Sequence, residues 1–245
     1  MRELNEVLTG LAEDLRDSLE RLDWSIFPGF VYHPLQYAWQ GHAGYLKLVG
    51  AGGRRPRVVF LGMNPGPWGM MQTGVPFGEV DLVRHWMGIE APLERPEREH
   101  PKRPIRGWEC TRSEVSGRRL WGYFKDRFGT AEACLEEIVV LNYCPLAFLA
   151  ESGANLTPDK FSAAVVKDLF ELCDTHLRAA VLAIDPEWVL GVGKFALGRI
   201  ETALEGVGAR LRMGTILHPS PASPAANRGW AEAAERQLAS LGVWG

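Results

Sequence analysis

The chain has 245 residues, 46% of them hydrophobic and 23% charged, with a formal net charge of −3 and a pI near 6.1. That composition fits a globular protein with a full core and excludes one held on nucleic acid by bulk positive charge. No apolar run approaches the roughly 20 residues of a membrane span, and the first residues alternate charge with leucine, so neither a membrane helix nor a signal peptide is expected and the expected compartment is the cytoplasm.

Residues 2–22 carry Leu4, Val7, Leu8, Leu11, Leu15, Leu19 and Leu22 among acidic and basic residues, the spacing of an amphipathic helix. Residues 24–49 are aromatic-rich and broken by Pro28, Pro34 and glycines, and read as irregular packing material. Then Val58-Val59-Phe60-Leu61 forms an unbroken apolar run that stops at Gly62. Four such residues fit a strand buried on both faces, and Asn64-Pro65-Gly66-Pro67 with Gly69, Gly74, Pro76 and Gly78 marks a shaped loop at its carboxyl end. A short helix is expected over 79–87, a Pro- and Arg-rich surface loop over 89–107, and a helix over 116–128 capped by Ser113 or Ser116.

Ile138 to Leu141 repeats the apolar pattern and ends at Asn142-Tyr143-Cys144-Pro145. Thr157-Pro158-Asp159 carries the signature of a helix start, with apolar positions recurring to about Ala183. A third strand, Trp188 to Val192, leads through Gly193-Lys194 into a helix. This Gly-x-Gly-Lys lacks the spacing of a phosphate loop and reads as a strand-to-helix turn. A fourth strand near 212–217 ends at His218-Pro219-Ser220-Pro221, and a last helix covers 226–241. Strands alternating with helices predict an α/β fold of three layers, a central four-stranded parallel sheet flanked by helices, in a single domain over 1–245.

Between Arg95 and Arg119 eight basic residues stand against four acidic ones, and with Arg54, Arg55 and Arg57 they suggest a basic face on a mildly acidic body. Cys110, Cys134, Cys144 and Cys173 form no C-x-x-C pair, so buried free thiols are expected rather than a zinc or iron–sulfur site, and no metal or other cofactor is expected. No Ser-His-Asp, Cys-His or paired-carboxylate pattern is present at recognisable spacing. Asn64, Asn142 and His218 each follow a predicted strand. A parallel sheet gathers them at its carboxyl edge, where open α/β sheets bind ligands.

The stretches LGMNPGPWGMMQTGVPFGEV at 61–80 and HPSPASPAANRGW at 218–230 closely resemble the two signature motifs of the single-strand-selective monofunctional uracil-DNA glycosylases. The resemblance continues through HPKRPIRGWEC, SEVSGRRLWG, LNYCPLAFL and NLTP, from about Tyr37 to Trp230. It implies hydrolysis of the N-glycosidic bond of uracil in DNA after base flipping, leaving an abasic site, with 5-hydroxymethyluracil and other modified bases as further substrates. By the same resemblance Asn64 positions the attacking water and His218 stabilises the leaving uracil at O2. Asn142 reads the base, Phe77 stacks on it, and Met63 offers a backbone N–H near O2. Gly66 leaves a water-filled space where relatives that exclude thymine carry tyrosine. Pro219, Ser220, Pro221, Ala222 and Ser223 match the wedge that enters the duplex, but Ala222 stands where an arginine is common. The implied partner is uracil-containing DNA, single- or double-stranded, met by a monomer that is nucleoid-associated if bacterial. The competing readings are a catalytically weak DNA- or nucleobase-binding module and another branch of the same superfamily.

Overall fold

Strands with neighbours on both sides and helices on both faces need apolar residues throughout, and Val58–Gly62 and Trp188–Val192 are buried at every position. The computed structural model describes residues 3–208 and 210–244. In chain order its main elements are α1 (Leu4–Glu20), β1 (Phe30–Tyr32), α2 (Pro34–Tyr37), α3 (Trp39–Leu48), β2 (Val58–Gly62), α4 (Met70–Thr73), α5 (Val80–His85), α6 (Val115–Phe128) and α7 (Ala131–Glu137). They continue with β3 (Ile138–Asn142), β4 (Ala147–Leu149), β5 (Asn155–Leu156), α8 (Ala163–Ile184), β6 (Trp188–Val192), α9 (Lys194–Ala203), β7 (Arg212–Ile216), α10 (Pro224–Asn227) and α11 (Trp230–Leu241).

The central sheet runs β3-β2-β6-β7, all parallel, so four carboxyl ends share one edge. Phe60 pairs in register with Val140, and Leu61 with Leu141, so Phe60 and Leu141 point to opposite faces. On one face Phe60 packs against Phe124 of α6 with ring centroids 5.0 Å apart. On the other, Leu141 lines a cavity with Leu8 and Ala12 of α1 and Ala180 of α8. Helices therefore cover both faces, as the alternating pattern predicts.

Several details differ from the sequence expectation. The first helix is α1, shorter than 2–22 at both ends, and position 2 lies outside the described residues. The aromatic stretch 24–49 holds one strand and two helices rather than irregular chain, and β1, β4 and β5 form a second, antiparallel sheet. Thr157-Pro158 opens only a 3-10 turn, because the long helix starts after Ser162. Neither Ser113 nor Ser116 caps α6; its N-cap is Glu114, and the Ser113 hydroxyl donates to Glu79 instead. The last helix is two, α10 and α11, separated at Gly229.

Candidate active site

The β2–β3 pairing places Gly62 directly beside Asn142. It continues past the strands: the Tyr143 amide donates to the Gly62 carbonyl and the Cys144 amide to the Met63 carbonyl, each at 2.9 Å. The loop after β3 then holds Asn64, whose Nδ2 donates to the Leu146 carbonyl at 3.4 Å. That contact occupies the donor end of the amide and leaves Oδ1 as its acceptor. Asn142 is arranged the other way. Its Nδ2 donates to the Met70 sulfur at 3.2 Å, a weak acceptor, while its Oδ1 is buried with no hydrogen-bond partner.

Phe77 closes the same space. A Cβ built on Gly62 would lie 2.6 Å from Asn142 Oδ1 and 2.8 Å from Phe77 Cζ, so the two side chains meet over a glycine that has no room for a methyl group. Phe77 itself sits at φ +54°, a left-handed conformation that costs a non-glycine residue on the order of 1 kcal/mol. The surroundings hold it there. Its carbonyl accepts from the Glu79 amide at 2.8 Å, and the preceding Pro76 carbonyl accepts from Trp121 Nε1 at 2.9 Å.

His218 arrives two residues after β7, with its ring centroid 6.1 Å from that of Phe77. Its Nδ1 accepts from the Ser220 amide at 3.1 Å, and burial pushes its pKa below the ordinary histidine value. Both facts favour a neutral ring in one tautomer, with the proton on Nε2. Phe77 thus meets Asn142 on one side and His218 on the other, and Asn64, Asn142 and His218 all lie at or just past strand ends that share the carboxyl edge of the sheet.

Helix α6 braces both loops of this site, which the sequence alone did not disclose. A Cβ on Gly117 would collide with the Phe77 carbonyl, so this glycine is where the helix and the strained loop touch. The Glu114 side chain lies against Gly66 and Gly69 of the first loop; a Cβ on Gly66 would sit 2.5 Å from Glu114 Oε2. The open, water-filled space expected beside Gly66 is therefore occupied along its Cβ direction by a carboxyl group. Burial raises the Glu114 pKa, against the pull of the Ser116 and Trp68 amides. One turn on, Arg119 donates to the Pro219 and Ser220 carbonyls at 3.0 and 3.4 Å and to Asn227 Oδ1 at 2.8 Å. In the sequence these residues are only part of a basic helix start, because their partners lie 40 to 108 positions away.

The loop after His218 turns outward. Pro221 and Ala222 are exposed at its tip, the Ser220 hydroxyl accepts from the Ala222 amide at 3.1 Å, and the Ser223 hydroxyl caps α10. The basic residues divide between two places. Arg103 and Arg112 stack on Trp68 of the first loop, 5.1 and 4.8 Å from its ring centroid, next to the site. Arg54 and Arg57 lie before β2, at the opposite edge of the sheet, paired with Glu137 at 3.4 and 3.2 Å. A single basic face joining both groups is therefore not formed. The four cysteines are buried free thiols, and among the described residues no group of three His, Cys, Asp or Glu side chains could hold a metal ion. No described helix is long and apolar enough to cross a membrane.

Comparison with known proteins identifies the family. A profile of the Uracil DNA glycosylase superfamily matches residues 49–239. The chain is 45% identical over 235 residues to the single-strand selective monofunctional uracil DNA glycosylase of Bos taurus, covering 95% of this chain and 86% of that one. It is also 45% identical over 236 residues to the Mus musculus protein of that name, covering 95% and 84%. Among solved structures, SMUG2 of Pedobacter heparinus has a TM-score of 0.60 at 16% identity, covering 95% of this chain and 97% of that one, a likeness of fold alone. The chain belongs to the single-strand selective monofunctional uracil DNA glycosylases of the uracil DNA glycosylase superfamily.

Proposed function

We propose that this protein hydrolyses the N-glycosidic bond of uracil in DNA and leaves an abasic site, with Asn64, Asn142, Phe77 and His218 as its working residues. The observation that carries the reading is the Asn142 Oδ1, buried and without a partner beside the Phe77 ring. An unsatisfied buried acceptor costs about 1–3 kcal/mol, and a ligand donor removes that cost. Uracil N3–H is such a donor. The Nδ2 of the same amide can exchange its weak sulfur contact for uracil O4. Cytosine presents an acceptor at N3 and a donor at N4, the reverse at both positions, and leaves both Asn142 groups opposed.

The target nucleotide must leave the base stack to reach this recess. Phe77 then lies against the base. As the C1′–N1 bond stretches, its electron pair moves onto the uracil ring and negative charge collects at O2, while positive charge collects on the sugar. The His218 Nε2–H donates to O2, joined by the Met63 backbone N–H. A preorganised donor of this kind contributes roughly 3 to 4 kcal/mol to the transition state. Because His218 is neutral, it stabilises the anion without having to surrender a proton. Asn64 Oδ1 accepts a hydrogen bond from water and aims its oxygen at C1′. An amide cannot take the proton, which passes to the departing uracil or to solvent. The bond order at C1′ is kept: one C–N bond breaks as one C–O bond forms.

Pro219 to Ser223 would enter the space vacated by the base, with Pro221 and Ala222 leading. A wedge with alanine at its tip has less to insert than one with arginine, so single strands are the better substrate. The Glu114 carboxyl beside Gly66 gives oxidised 5-substituents a hydrogen-bonding neighbour, which supports 5-hydroxymethyluracil as a second substrate.

The test is incubation with a single-stranded oligonucleotide carrying one uracil, followed by alkali. Cleavage at the uracil position only after alkali is expected, and an intact strand at low and moderate salt would overturn the proposal.

A further inference from the structure

Arg119 touches neither the base recess nor the water position, yet it is tied to the histidine through one rigid group. The Pro219 carbonyl, which accepts from Arg119 Nη1 at 3.0 Å, and the Ser220 amide, which donates to His218 Nδ1 at 3.1 Å, are the two ends of a single peptide unit. That unit is planar and trans, so its C=O and N–H point in opposite directions. A guanidinium fixed on the oxygen fixes the direction of the N–H. It also withdraws electron density from the oxygen and makes the N–H a stronger donor.

The grip extends along the loop. Arg119 Nη1 also reaches the Ser220 carbonyl at 3.4 Å, its Nη2 donates to Asn227 Oδ1 at 2.8 Å, and Asn227 Nδ2 donates to the Pro221 carbonyl at 2.8 Å. Three consecutive carbonyls, those of Pro219, Ser220 and Pro221, are therefore held by one Arg–Asn pair anchored on α6. We infer that Arg119 is a positioning residue that locks His218 in its Nε2–H tautomer by orienting the 219–220 peptide, and that it does so in the free protein, before DNA arrives. The inference rests on the proposed role of His218 for its catalytic meaning, but the tautomer itself can be read without any reaction.

The experiment uses the full chain labelled with 15N-histidine, with His218 assigned by loss of its signals in His218→Gln. In the wild type His218 Nδ1 is expected to resonate as an unprotonated acceptor nitrogen and Nε2 as a protonated one. In Arg119→Gln the two His218 resonances should move toward each other as the tautomers mix, while the other five histidines stay in place. The kcat on a single-stranded uracil oligonucleotide should fall roughly 10- to 100-fold, the range for losing a charge-assisted hydrogen bond, with KM changed by less than about threefold. Arg119→Lys keeps the charge without the fork and should fall between the two. Guanidinium ion added to Arg119→Ala should recover part of the kcat.

A His218 pattern in Arg119→Gln identical to the wild type would overturn the inference. So would a raised KM with a shallower salt dependence and an unchanged kcat, which marks a phosphate contact instead. If Arg119→Gln does not fold, an unmixed His218 tautomer in Arg119→Lys together with wild-type kcat gives the same refutation. Failure of the His218 assignment itself shows separately, as a fully active His218→Gln.

Discussion

Replacing Gly62 with alanine adds one methyl group at the point where the reader and the stacking ring meet. Gly62 is not among the residues with positive φ, so alanine is free to adopt its backbone conformation and the effect isolates the contact. The new Cβ would stand 2.6 Å from Asn142 Oδ1 and 2.8 Å from Phe77 Cζ. Comfortable carbon contacts begin near 3.5 Å, so each partner must retreat by about 1 Å or the strand must shift. Overpacking of this size costs about 1–3 kcal/mol of stability, a drop of roughly 2–12 °C in Tm for a chain of this length. Moving Oδ1 by about 1 Å also spoils its bond to uracil N3–H, a further 1–3 kcal/mol, or roughly 5- to 150-fold in kcat/KM. Thermal melting and uracil release from a single-stranded oligonucleotide measure the two effects. Gly122→Ala is the control: nothing lies within 4 Å of its Cβ position on α6, so it should keep full activity and melt at or slightly above the wild type. Wild-type kcat/KM and Tm in Gly62→Ala would refute the geometry of the recess.

Asn142→Asp replaces the donor Nδ2 with a second oxygen; uracil release should fall at least tenfold, and competition between uracil and cytosine substrates would show reduced discrimination. Unaltered excision and selectivity would remove Asn142 from the role of reader. Acid stability follows from the buried histidines. His33 and His42 have pKa values pushed down to about 4 by burial, and His42 Nδ1 hydrogen-bonds to the Gly74 carbonyl at 2.9 Å. The unfolded chain takes up protons near pH 6.5 while the folded chain resists until about pH 4, so stability falls as pH drops through that window and levels off below it. Each histidine contributes on the order of 3 kcal/mol to this loss. Urea titrations at pH 7 and pH 4.5 should show it, and His42→Gln should flatten the slope. An equal slope in His42→Gln would contradict the burial argument.

The sheet and its candidate site edge were legible because β2 and β3 are apolar runs followed by an asparagine, Asn64 shortly after Leu61 and Asn142 after Leu141, whereas β7, Arg-Met-Gly-Thr-Ile with Arg212 exposed, is marked only by the Leu217-His218-Pro219 that follows it. Parallel order then carried them to one edge without further information. The second sheet was not legible: β1, β4 and β5 are three, three and two residues long, too short for a period of two to emerge. Helix α7 was hidden for a related reason, since its seven residues run straight into β3. The bracing of the site by α6 depends on long-range contacts. Glu114 against Gly66 and Arg119 on Pro219 are pairings of the folded chain, and a side chain's distant partner leaves no mark on local spacing. The basic face was misjudged similarly, because Arg57 precedes β2 by one residue and so falls at the edge opposite Asn64.

The central claim is that residues from three strand ends act on one flipped base. It is tested most directly by single-turnover uracil release from a single-stranded oligonucleotide, comparing the wild type with Asn64→Ala and His218→Ala of unchanged circular dichroism. Each variant is expected to release uracil at least about 100-fold more slowly, the effect of removing a preorganised transition-state contact. Release at the wild-type rate by either folded variant would contradict the claim.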